Sequence, residues 1–172
     1  TPCFLLLQAQ RCRFRRMDIE LDWCEPIPVR ATKGTALDYW INLDLVPTSP
    51  GIYIFGRRWG ANFEALYVGQ AERLRGRIRS HLNNARLLRH LGQARNGRRV
   101  VLAGVLIGKP GQTTSKCLNI AERALIRHFL SVGHDLINKQ GTRLHRDRIT
   151  SLGRHTKAFW PQEVLVEQRQ RR

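Results

Sequence analysis

Residues 51–69 read GIYIFGRRWGANFEALYVG, and two short apolar runs inside this stretch decide the fold class. Ile52, Tyr53, Ile54 and Phe55 make a β-rich run that stops at Gly56, and Ala65, Leu66, Tyr67 and Val68 make a second that stops at Gly69. Joined through a loop from Arg57 to Glu64, they predict a β-hairpin.

Working outward, Leu74, Ile78 and Leu82 recur at a four-residue step and predict a helix from Arg73 to about Leu91. Val100 to Ile107 is almost wholly apolar, the composition of a strand buried on both faces, and predicts a central third strand. After the Gly-Lys-Pro-Gly turn at 108–111, Leu118, Leu125 and Phe129 mark a second helix closing at Gly133. The expected fold is a small α/β layer of order β-β-α-β-α, a three-stranded sheet with flanking helices. The breaker cluster Pro47, Ser49, Pro50 and Gly51 sets this domain, 51–141, apart from an acidic extension, 17–50. Residues 142–172 form a basic segment in which Val164 to Val166 suggests a strand. Met17 is the only methionine, so residues 1–16 are expected to be upstream translation or added sequence.

The chain has 172 residues and a formal net charge of +17. That balance excludes an acidic surface and points to a polyanionic partner, DNA in the first instance, with RNA left open. Between Glu72 and Glu122 there is no acidic residue, and Arg73, Arg75, Arg79, Arg86 and Arg89 fall there as candidate phosphate contacts. No apolar run approaches the ~20 residues of a membrane-spanning helix, so no membrane partner is expected. The cysteines at 3, 12, 24 and 117 lack zinc-ligand spacing and read as reduced thiols of a cytoplasmic protein.

Phosphodiester hydrolysis needs a base for water, cations for the charge growing on phosphate, and help for the leaving oxygen. Arg77 and His81, at i and i+4, share a helix face and are placed to reach one phosphate. Glu122 falls on the apolar stripe of the second predicted helix, where a carboxylate must be protonated, ion-paired or metal-bound. Two readings stand: a salt bridge to an arginine, or a single ligand for Mg²⁺ or Mn²⁺. Tyr53 and Tyr67, on neighbouring strands, read on their own as half-buried aromatics.

Gly51-Ile52-Tyr53 followed by Tyr67-Val68-Gly69, then Arg77, His81, Glu122 and Asn138 in order, resembles the GIY-YIG nuclease family over roughly residues 51–141. A valine stands for the middle isoleucine of the second tripeptide. The resemblance implies a divalent-metal-dependent endonuclease in which Tyr53 takes the proton from water and Tyr67 hydrogen-bonds near the scissile phosphate. It further implies that Arg77 and His81 serve the transition state, that Glu122 holds the metal and that Asn138 fixes a loop. Gly69 would let the chain turn tightly into the helix. A non-catalytic nucleic-acid-binding module with the same fold is the alternative. No second DNA-binding motif is recognisable, so selectivity is left to the extension, the tail, a targeting partner or a homodimer.

Overall fold

A computed structural model describes residues 18–32, 38–93, 96–138, 146–150 and 163–167, the last two stretches as backbone. The expected segment 1–16 lies outside the described residues, as do His145, His155, Cys3 and Cys12.

The hairpin forms, and it is longer than the apolar runs suggest. β4 (Gly51–Trp59) and β5 (Asn62–Ala71) pair from Gly51↔Ala71 to Trp59↔Asn62, leaving only Gly60 and Ala61 as the turn. The expected loop from Arg57 to Glu64 is therefore mostly strand. Arg57 lies directly opposite Glu64 and ion-pairs with it, while its guanidinium sits 5.0 Å from the Trp59 ring, so polar side chains hold this half together. Gly60 supplies the positive φ, +57°, that a two-residue turn requires.

The sheet is not three-stranded. β1 (Glu20–Trp23), β2 (Ile27–Ala31) and β3 (Tyr39–Ile41) join β4, β5 and β6 (Arg98–Ile107) in one six-stranded antiparallel sheet. β6 is central, as its apolar composition predicts: β4 flanks one side, and β1 and β2 follow one another along the other, with β3 outside β2. The acidic segment thus supplies three strands, which sequence reading misses because each is only three to five residues long and Pro28 interrupts β2. Its acids meet bases of the later chain, Glu20 at Lys109 and Asp44 near Arg75.

The single helix expected over Arg73 to Leu91 is two, α1 (Leu74–His81) and α2 (Ala85–Gln93). Asn84 makes the break: its Oδ1 accepts from the Leu87 N–H, 3.2 Å away, and starts a new helix. α1 and α2 bury Leu74, Ile78, Leu87 and Leu91 against one sheet face with Tyr53 and Phe55. α3 (Thr114–Ser131) buries Leu118, Ala121 and Ile126 against the opposite face with Ile52, Ile54 and Val68, and ends before Gly133, at φ +89°. β4 is covered on both faces, which is why it reads as an unbroken apolar run. β7 (Arg146–Thr150) and β8 (Glu163–Glu167) pair as a separate hairpin that includes the strand expected at Val164 to Val166.

Candidate active site

Strand alternation sends Tyr53 of β4 and Tyr67 of β5 to the face that α1 and α2 cover. Register then places Gly69 directly opposite Tyr53. A β-carbon on Gly69 would run into the Tyr53 hydroxyl and ring and the edge of Tyr67. Gly69 lies inside β5 without a positive φ. Its lack of a side chain therefore makes room for the Tyr53 phenol and does not serve a tight turn into the helix.

α1 delivers His81 to the same spot. His81 faces inward, only 5% exposed, with its Nε2 2.7 Å from the Tyr53 hydroxyl. The Tyr53, Tyr67 and His81 rings pack together, with centroids 5.0 to 6.1 Å apart. Burial, helped by the nearby Arg77 charge, pushes the His81 imidazole down to about 4, so it is neutral at pH 7. Burial pushes the Tyr53 phenol in the other direction, well above its ordinary value, against an opposing pull from Arg77. Arg77, one turn before His81, is exposed and sits beside the Tyr53 hydroxyl. Arg77 and His81 thus face different ways: the arginine faces solvent and the histidine faces Tyr53.

The other sheet face contributes Glu122. Half-buried on α3, its carboxylate Oε2 accepts from Gln70 Nε2 at 2.9 Å, and the same nitrogen donates to Asn119 Oδ1 at 2.7 Å. Burial raises the Glu122 carboxyl, while the Gln70 bonds and the Arg77 charge hold it down. Arg77 thus feels groups from both faces, which meet around Gly69 and Gln70 on the edge strand β5. Gln70 escapes sequence reading because nothing marks a glutamine at a strand end. The usable signal is alternation, which puts Gln70 with Val68 on the face α3 covers.

Beside this edge, Asn138 pairs with β5 as a strand would: its Oδ1 accepts from the Val68 N–H at 3.3 Å and its Nδ2 donates to the Val68 carbonyl. Ile137 N–H donates to the Leu66 carbonyl and His134 Nδ1 accepts from Ala65, both at 2.9 Å. Residues 134–138 cover the edge up to Val68, which fixes Asn138 as a support. Arg75 is tied to the chain around Asp44, its Nε donating to the Val46 carbonyl at 2.9 Å, whereas Arg73, Arg79, Arg86 and Arg89 are exposed.

Among the described residues no three acidic, histidine or cysteine side chains gather as a metal cluster. Glu122 offers one carboxylate, whose Oε2 accepts the Gln70 N–H, and a hard divalent cation held through it would keep most of its water. No helix among the described residues is long and apolar enough to cross a membrane, and neither Cys24 nor Cys117 is in a disulfide. Family models, curated proteins and solved structures yield no match to this chain.

Proposed function

We propose that this chain is a divalent-metal-dependent endonuclease of GIY-YIG type that hydrolyses DNA phosphodiester bonds in the cytoplasm. The observation that carries the reading is the Tyr53 hydroxyl, bonded to neutral His81 on its buried side and flanked by Arg77 on its solvent side.

Burial rules out a standing phenolate at neutral pH, so Tyr53 works as one link of a relay. With the His81 ring proton on Nδ1, Nε2 accepts the Tyr53 O–H. As water attacks phosphorus, Tyr53 O takes the water proton and passes its own to His81 Nε2. The imidazolium so formed is compensated by the negative charge growing on the phosphate. Arg77 supplies paired N–H donors to the non-bridging oxygens, already in place when that charge develops. Tyr67, stacked on Tyr53, would hold the phenol in line and hydrogen-bond near the scissile phosphate. Glu122 would hold Mg²⁺ or Mn²⁺, steadied by Gln70, and the ion would act as a Lewis acid toward the leaving oxygen. Arg73, Arg79, Arg86 and Arg89 neutralise flanking phosphates.

The test is cleavage of a panel of linear duplex, single strand, flap and branched junction, with mapped ends. Metal-dependent hydrolysis leaving 5′-phosphate and 3′-hydroxyl ends is expected. Binding of the whole panel without cleavage in Mg²⁺ or Mn²⁺ would leave the non-catalytic module.

A further inference from the structure

The face of the sheet on which α3 packs is only partly covered. Directly paired residues of antiparallel neighbours share a face, and alternation carries that face along each strand. From Ile52 and Ile54, which α3 covers, this side runs through Gly56 to Arg58 on β4 and through Val100 and Arg98 on β6. It continues onto Pro28 and Arg30 of β2 and ends at Trp40 of β3. Away from α3 the surface is open: Trp40 is 51% exposed, and Pro28, Arg30, Arg58 and Arg98 are exposed as well. At one end an open cavity of about 750 Å³ lies between Pro28, Val100, Arg58 and Arg98.

Two features of this surface are costly for the fold alone. Arg58 and Arg98 stand directly opposite each other, a like-charge pair that destabilises a sheet. The neighbouring pair, Arg57 and Arg99, is relieved by Glu64 and by the Leu91 carbonyl, but among the described residues no ion pair reaches Arg30, Arg58 or Arg98. Glu25, on the cavity wall, is the one carboxylate beside them. The Trp40 ring is left in water in addition. Guanidiniums without counter-ions beside an exposed indole on one sheet face have the chemistry of a base-stacking, phosphate-binding surface.

We infer that this open half-face is a platform for single-stranded DNA, with an unpaired base stacked on Trp40 and phosphates held by Arg30, Arg58 and Arg98. It is distinct from the candidate active site, whose Tyr53 and His81 lie on the opposite face of the sheet. The inference rests on the nucleic-acid reading of the chain but not on cleavage. It would make the substrate one that carries an unpaired strand next to the cut.

The experiment is equilibrium binding by fluorescence anisotropy, in EDTA, of the full chain to a labelled mixed-sequence single strand of about twelve nucleotides and to a blunt duplex of the same length. Trp40→Ala should weaken single-strand binding by about 5- to 100-fold and duplex binding by less than about twofold, with Trp40→Phe restoring most of the loss. Arg98→Gln should lower the salt slope for the single strand by about 0.7. Trp40 is half-exposed, and a melting curve of the alanine variant confirms that the fold is intact. Unchanged single-strand affinity in Trp40→Ala, or equal losses on single strand and duplex, overturns the platform. Binding to neither probe overturns the nucleic-acid reading with it, whereas a protein that binds through Trp40 yet never cuts overturns only the endonuclease.

Discussion

The two sides of β5 handle an ionisable group in opposite ways. On the α1 side, Tyr53 and His81 are nearly sealed from water, and burial keeps both neutral. On the α3 side, Glu122 is half-exposed, and Gln70 and Arg77 work against burial to favour the charged form. A dry pair suits passing a proton along a fixed hydrogen bond, since neither partner can exchange with bulk solvent during the transfer. A wetter carboxylate suits a hydrated cation, which must bring its own water. The reaction proposed needs both environments within reach of one phosphate, and under that proposal the edge strand β5, whose faces carry different helices, would supply them.

The largest effect should come from the wet side. Glu122→Gln keeps the shape and removes the charge, so cleavage should fall by about 10³-fold or more while the fold survives. Binding in EDTA should stay close to wild type, because the arginines carry the affinity. Wild-type cleavage at full rate in excess chelator, or a Glu122→Gln variant that cuts normally with Mg²⁺, would leave Glu122 as a partner for Gln70 alone. Next comes the group that both sides share. Arg77→Ala should cost about 10²- to 10³-fold in single-turnover rate, the loss typical of one preorganised donor, whereas Arg79→Ala should mainly weaken binding. Equal effects on rate would reduce Arg77 to one exposed arginine among several.

Acid should separate the two sides by sign. Unfolded, His81 takes up a proton near 6.5; folded, it resists to about 4, so the unfolded chain binds more protons between those values. This group's stabilisation is complete above 6.5 and is lost as the pH falls toward 4, by about 3 kcal/mol at most. Glu122 runs the other way: its raised carboxyl means the folded chain binds the extra proton just above the ordinary glutamate value, so stability there grows as the pH falls. Urea unfolding between pH 4 and 7 should show a weaker acid loss in His81→Gln and a stronger one in Glu122→Gln. The same slope in both variants would mean that neither side titrates as its burial requires.

What sequence reveals here tracks burial on two faces. β4 and β6 are legible because helices or neighbours cover them and their residues are continuously apolar, and α3 because its stripe recurs over five turns. β1 to β3 are hidden because in strands this short a proline or a charge erases the period, and because their acidity separates them from strands they pair with. Of the site, Tyr53, Tyr67, Arg77 and Glu122 are legible as motif positions, and the structure brings them together around Gly69. The direct Tyr53 to His81 bond is not legible, since i and i+4 spacing only says that Arg77 and His81 share a helix side, not which of them turns inward. Gln70 is hidden because its importance comes entirely from what α3 places above it.

The smallest effect concerns Gly69, and it decides why this position lacks a side chain. Two accounts are available, a backbone turn that only glycine can make and a space that only glycine can leave. A β-carbon here meets ring atoms of Tyr53, which is 1% exposed and pinned by His81, so the phenol has nowhere to move. Gly69→Ala should therefore destabilise by about 1–3 kcal/mol, the usual cost of overpacking, and should slow cleavage by displacing the Tyr53 hydroxyl. In a Tyr53→Ala background the two closest contacts are gone and the edge of Tyr67 is left. If space is the reason, Gly69→Ala should then cost much less, giving a coupling energy that is a large part of the single-variant effect. If backbone conformation were the reason, the cost would persist without the ring. Gly60, Gly97, Gly111 and Gly133 carry the positive φ values among the described glycines, and Gly69 does not, so the cycle should close on the ring.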